Sequence, residues 1–247
     1  MNWLSKVLEY IWVRPSLYRV LRRALYLIRH GKYPPRDERW ELSKLTTRRK
    51  RITFVQIGAN DGKSRDNVFG LAKRFKWKGL LVEPVPHLFS ALKDNYRGSE
   101  EIICECVAIA NEDGELTLYR LNNKEGLPRL PSEADFLGSF FKDVIMRHSH
   151  LVPNIGDYLI SQPVRACRLM PLLAKHSIQK IDLLMVDVEG FDYQVLKQAD
   201  LQLLGPELII YESKHLSDHD KIAAQKFLSD NGYSFEDYGE NTVARPT

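Results

Sequence analysis

From Ile52 onward the chain repeats one order, a short apolar run followed by a helix-like segment, and few folds accommodate that order. Ile52–Ile57 reads as a buried strand that stops at Gly58, and Asn67–Phe75 as a helix. Gly79–Val82 is a second strand, Pro86–Asn95 a second helix and Ile102–Ile109 a third strand. Glu115–Tyr119 reads as an added strand after the Asn111-Glu112-Asp113-Gly114 turn. After an irregular stretch the alternation resumes. Met170–His176, Tyr193–Ala199 and Ser217–Asn231 are helical, Ile181–Val186 and Glu207–Tyr211 are strands. Tyr233–Tyr238 and Thr242–Ala244 make a closing antiparallel pair. Near-continuous apolar strands joined by helices predict an α/β, Rossmann-like domain: a mainly parallel sheet, helices on both faces, and an antiparallel C-terminal pair.

The 247 residues divide into a helical extension over 1–50 and the Rossmann-like domain over 51–247. The domain carries an irregular insert at about 121–163, rich in Gly and Pro, of a length usual for functional segments. Residues 1–51 hold 14 Lys or Arg against 4 Asp or Glu, a net of +10, so the rest carries −6 of the chain's +4. The basic charge therefore belongs to the leader, and nucleic acid across the main body is not expected. Leu4, Val7, Leu8 and Ile11, then Leu17, Leu21, Ala24 and Ile28, follow helical spacing with an interruption at Pro15. Arginines break every apolar run well short of a bilayer span, and no cleavage site follows a clean apolar stretch. The leader reads first as a helix packing on the domain or on a partner copy. Peripheral contact with an anionic membrane is the other reading. Three unpaired cysteines, Cys104, Cys106 and Cys167, without a CxxC spacing, fit a cytoplasmic setting.

In an open α/β sheet, ligands bind beyond the carboxyl ends of the strands. Those ends hold Gly58-Ala59-Asn60-Asp61-Gly62, Glu83, Cys106–Ile109, Asp187 with Glu189, and Glu212 with Lys214 and His215. The loop lacks GxGxxG and GxxxxGK[ST], which removes support from dinucleotide and P-loop readings. Two glycines alone are weak evidence, since many strand-to-helix turns carry them for steric reasons. Glu83, 21 residues after Gly62 and at the end of the second strand, adds a carboxylate able to accept two ribose hydroxyls. Asp187, Glu189, Glu212 and His215 offer hard ligands to a divalent metal, although none is predicted. Capping of the next helix is the structural alternative for Asp187. His148 with His150, and His215 with His219, read as surface histidines rather than metal pairs.

FVQIGANDG, GLLVEPVPHLFSALKDNY, VAIANEDGELTLY, LGSFFKDVIMRH, IDLLMVDVEGFDYQVLK and ELIIYESKHL together resemble the FkbM-type family of class I S-adenosylmethionine-dependent methyltransferases, over roughly residues 50–245. The resemblance implies that Gly58, Ala59, Asn60, Asp61 and Gly62 contact the methionine part and ribose of S-adenosylmethionine. It also implies that Glu83 binds the ribose and that Val107 and Ala108 border the adenine. Gln56 stands where many class I enzymes have an acid, and Asn241 replaces a commoner Asp. Methyl transfer needs alignment and removal of the acceptor's proton. Glu189 is the first choice for base or positioning group, with Asp187 nearer the cofactor and Glu212 and His215 as alternates. The implied reaction is O-methylation of a saccharide or other small-molecule hydroxyl. The alternatives are N-methylation, or a non-catalytic module assembling on a membrane or partner. A further Asn-Pro-Pro-Tyr motif, which would favour N-methylation, is absent.

Overall fold

The computed structural model describes residues 11–30 and 37–247. A seven-stranded sheet carries the fold, in the order β10-β11-β9-β8-β1-β2-β3. Its members are β1 (Thr53–Ile57), β2 (Lys78–Val82), β3 (Ile102–Glu105), β8 (Leu183–Val186), β9 (Leu208–Glu212), β10 (Tyr233–Tyr238) and β11 (Asn241–Pro246). The first five are parallel, and β11 runs antiparallel to β9 and to β10. This is the expected mainly parallel sheet with a reversed C-terminal pair.

Side chains alternate across the sheet although the strands read as continuous apolar runs. Val55, Ile57, Leu80 and Val82 enter one cluster with Leu169, Leu172, Val195, Leu196 and Leu228. Phe54 and Leu81 enter another with Leu71, Trp77 and Leu92. Helices α3 (Phe69–Phe75) and α4 (Pro86–Asn95) cover this second face. The first is covered by α7 (Leu169–Lys175), α8 (Asp192–Leu196), α9 (Leu201–Leu204) and α10 (Asp218–Asp230). Local chemistry sets several helix starts: the Asp66 carboxylate accepts from the Phe69 amide at 2.8 Å, and the Ser217 hydroxyl accepts from the Asp220 amide at 3.1 Å.

The extension is part of this packing. The interruption expected at Pro15 is present: residues 12–14 form a turn and helix α1 (Pro15–His30) begins at Pro15, where proline's missing amide costs nothing at the first helical position. Leu4, Val7 and Leu8 lie outside the described residues. Ile11, Trp12 and Tyr18 enter the second core cluster, as do Leu42 and Leu45 of α2 (Glu38–Arg48), which are 0% and 1% exposed. Two of the leader's arginines turn inward. Arg19 donates to the Ser43 carbonyl at 3.1 Å, and Arg22 pairs with Asp37 at 2.8 Å.

Two segments differ from expectation. The run 102–109 is not one strand. The chain leaves the large sheet after Glu105, and β4 (Ala108–Ile109) joins a second, four-stranded sheet of order β4-β7-β5-β6. The insert is also more regular than its composition implies. Strands β5 (Gly114–Leu121) and β7 (Leu159–Cys167) pair antiparallel along their length, and β6 (Gly138–Ser139) adds to β5. The segment between β5 and β7 also forms a one-turn 3-10 segment (Ser132–Phe136), α5 (Lys142–Met146) and α6 (Ile155–Tyr158), around a core of Leu121, Ala134, Leu137, Ile145, Val152, Ile155 and Tyr158. Strands paired across so many intervening residues leave no local periodicity to read.

If α2 belongs to the core of the fold, Leu42→Ala will destabilise the protein by about 2–5 kcal/mol in denaturant unfolding. A loss below about 0.5 kcal/mol, as expected of an exposed site, would detach α2 from the core.

Candidate active site

Gly58 follows β1 with φ +81, and a Cβ built there would lie 1.7 Å from the Asp187 carbonyl oxygen beyond β8. Only glycine lets the two strand ends approach this closely while the backbone turns in the left-handed region. At Asn60, also left-handed at φ 50, the backbone amide donates to Glu83 Oε2 at 2.9 Å. Glu83 Oε1 accepts from the Val85 amide at 2.8 Å. One buried carboxylate thus ties the loop after β1 to the turn after β2. Each oxygen uses one lone pair and keeps another. Burial pushes the Glu83 carboxyl up to about 7, against the lowering by those two amides.

These strand ends border one open cavity. Gly58, Asn60, Glu83, Val107 and Ala108 line it, and so do Asp187 and Glu189. The other sequence-selected residues lie around it. Ala59 is in the second core cluster. Asp61 Oδ1 accepts from the Lys63 and Ser64 amides at 2.9 and 2.7 Å, folding the loop on itself. A Cβ on Gly62 would meet Leu92 Cδ1 at 2.2 Å, so this glycine packs on α4. Glu212 and His215 stand behind Glu189 rather than on the cavity wall. The insert supplies the remaining wall through Phe136, Leu137, Gly138 and Phe140.

The turn after β8 is held from both sides. Asp192, 0% exposed, accepts from the Val188 amide at 3.2 Å and from the Gly190 amide at 3.0 Å. The next helix has Phe191 at its N-cap and no side-chain cap, so Asp187 does not cap it; Asp192, which carries no role in the sequence analysis, holds the turn before it. Its place six residues after the strand end is the only signal for it. Ser139 of the insert donates to the Glu189 carbonyl at 2.6 Å, where Glu189 is left-handed at φ 51. Phe140 packs edge-on to Phe191 with ring centroids 5.1 Å apart. Thus the insert fixes the segment that carries Glu189.

Asp187 reaches solvent through the cavity mouth but is walled by protein elsewhere, and this raises its carboxyl. Burial and then the Asp187 charge raise the Glu189 and Glu212 carboxyls well above the usual range. His215 is pushed down to about 4, by burial and then by His148. His148 corrects the surface reading of the histidine pair: it is 6% exposed, because the 3-10 turn after α5 places its ring 5.0 Å from that of His215. His219 is exposed as expected.

The two departures from the family pattern have partners. Gln56 Nε2 donates to Asp66 at 2.8 Å and is not on the cavity wall. Asn241 donates to Glu38 of α2 at 2.6 Å, and Asn67 binds the same carboxylate. An aspartate at 241 would face Glu38 with like charge.

The strand order, the reversed pair and a cavity at the switch between β1 and β8 define a class I methyltransferase fold. The chain belongs to the methyltransferase FkbM domain family, whose model matches residues 56–235. No curated protein matches it. Among solved structures it is similar to a methyltransferase FkbM from Methylobacillus flagellatus KT, at 13% identity and TM-score 0.49 over 79% of this chain and 44% of that one. The chain therefore spans less than half the length of that relative. The METTL16 methyltransferase domain matches at 14% identity and TM-score 0.45, over 94% and 80% of the two chains. Fibrillarin from Aeropyrum pernix, in complex with natively bound S-adenosyl-L-methionine, matches at 11% and TM-score 0.40, over 78% and 65%.

Glu83, Glu189 and Glu212 all have folded-state carboxyls raised above their unfolded values. Their contribution to stability is present at low pH and is lost as pH rises through the folded values. In chelator, the melting temperature is predicted to fall by about 3 °C or more between pH 6 and 9, and Glu212→Gln to reduce that fall. A flat or rising profile would contradict the raised carboxyls.

Proposed function

We propose that this chain is an S-adenosylmethionine-dependent O-methyltransferase acting on a hydroxyl of a saccharide or other small-molecule acceptor. The observation that carries this reading is a single cavity with a buried carboxylate at one end and a raised acidic pair at the other. S-adenosylmethionine supplies an activated methyl on a sulfonium. Glu83, fixed by the Asn60 and Val85 amides, has lone pairs left for two ribose hydroxyls, and the glycine-containing loop lets the cofactor approach the backbone. Val107 and Ala108 give an apolar wall suited to an adenine ring. Two left-handed residues, Gly58 and Asn60, shape this cradle, so the residues present fit the group.

Glu189 takes or orients the acceptor's proton. A carboxyl raised by burial is a stronger base than an exposed one and is poised for a weakly acidic hydroxyl. Asp187, adjacent on the same wall, holds negative charge near the sulfonium end. Phe136 and Phe140 of the insert exclude water over the reacting centre. Among the described residues no helix is long and apolar enough to cross a membrane. Should the acceptor be lipid-carried, Val20 and Ile28, 65% and 82% exposed on α1, are the side chains that would meet the surface.

Calorimetry with S-adenosylmethionine tests the reading. Binding is expected for the wild type and for Glu189→Gln. Glu83→Gln should weaken it at least tenfold, about 1.4 kcal/mol. No binding at millimolar cofactor, or wild-type affinity in Glu83→Gln, would overturn the assignment.

A further inference from the structure

Behind Glu189 lie two buried histidines, His148 and His215, that the methyl-transfer reading does not use. His148, Glu189 and His215 offer three ligand atoms within 4.8 Å of one another, and Asp187 and Glu212 form a second such set around Glu189. The group joins three parts of the chain: the insert, the turn after β8 and the segment after β9.

Each member is arranged as a ligand. His148 Nδ1 lies 3.1 Å from the Val144 carbonyl. That contact places the ring proton on Nδ1 and leaves Nε2 with its lone pair, the arrangement by which a backbone carbonyl orients a metal-bound histidine. His215 Nε2 stands 3.5 Å from Glu189 Oε2 and 3.8 Å from Glu212 Oε1. Both separations are long for a hydrogen bond. Two atoms bonded at about 2.1 Å to a tetrahedral ion stand about 3.4 Å apart, close to the observed spacing. Glu189 Oε2 and Glu212 Oε2 are buried and accept no hydrogen bond, and Glu212 as a whole is only 8% exposed. Unpartnered buried carboxylate oxygens are costly unless a proton or a cation meets them.

Of the nearby protein cations, Arg65 acts on Asp187, and two others are committed elsewhere. Lys214 binds Glu240 at 2.6 Å, and Arg147 binds Asp143 at 3.0 Å. We propose that His148, Glu189 and His215 form a three-ligand site for a divalent transition-metal ion, with a further coordination position left open. Two imidazoles favour a borderline ion such as Zn²⁺ over Mg²⁺ or Ca²⁺, which prefer all-oxygen sites. Glu189 also faces the cavity, so the ion adjoins the place assigned to the acceptor. Its role there rests on the methyltransferase reading: it would polarise the acceptor hydroxyl and hold it toward the methyl, and Glu189 would then orient the hydroxyl through the ion. Binding of the ion itself does not depend on that reading. By joining His148 to Glu189 and His215, the ion would also pin the insert over the cavity.

The test uses the full chain stripped with chelator and titrated with ZnCl₂ or MgCl₂ in a calorimeter, with Co²⁺ absorption as a spectroscopic readout. One Zn²⁺ per chain is expected with Kd of about 1 µM or tighter, and Mg²⁺ at least 100-fold weaker. His148→Ala and His215→Ala should each weaken Zn²⁺ at least tenfold, while His219→Ala leaves it unchanged. Absence of stoichiometric Zn²⁺ binding, or wild-type affinity in both histidine variants, would overturn the site. Should a variant fail to fold, the Co²⁺ spectrum of the wild type decides: ligand-field bands of a four-coordinate, nitrogen-ligated ion support the site, and the spectrum of hexa-aquo Co²⁺ overturns it. S-adenosylmethionine binding, measured on the same samples, separates the two readings. Zn²⁺ without cofactor binding sinks only the methyltransferase reading, and cofactor binding without Zn²⁺ sinks only the metal site.

Discussion

The site depends on one close approach, the backbone of Gly58 against the carbonyl of Asp187. There the ends of β1 and β8 meet at the point where strand order reverses. A side chain at 58 would separate them, so the crevice exists because this residue has none. The other features take their positions from that contact. Asn60 turns its amide onto Glu83, and Glu83 brings the end of β2 into the same cavity. On the far side, Asp192 and Ser139 hold the 187–190 turn, so that Glu189 reaches the cavity from a left-handed residue. Left-handed backbone at a non-glycine residue costs free energy and persists only when its surroundings hold it.

Acid is concentrated at this edge beyond what burial tolerates. Glu189, Asp192 and Glu212 have carboxyls raised by loss of water first and by the charge of Asp187 next. Protons or a cation must offset the charge. A ligand with a positive centre, or an ion between His148 and His215, relieves the same electrostatic strain. The proposed chemistry and the electrostatics therefore point to the same few ångströms of the fold.

Much of this was legible in the sequence wherever local pattern decides structure. The apolar runs at 52–57, 79–82, 181–186 and 207–211 become β1, β2, β8 and β9, because central parallel strands are apolar on both faces. The loop and Glu83 were legible because strand ends are where such sheets bind. Long-range pairing was not. Nothing near Leu159–Cys167 announces its partner at 114–121, and nothing near Ile102–Ile109 shows that the chain changes sheets after Glu105. His148 reads as exposed in the sequence because the ring that covers it, His215, is distant in sequence. Gln56 and Asn241 were visible as departures, while their partners Asp66 and Glu38 were not.

Hydrogen exchange of the full chain with and without S-adenosylmethionine tests most directly whether these strand ends form one ligand site. Added protection is predicted in the segments 57–62, 82–88, 106–109, 135–140 and 187–190, with the distal strands β10 and β11 unchanged. Absence of protection in the first two segments, or protection confined to the leader or to the β10–β11 pair, would contradict it.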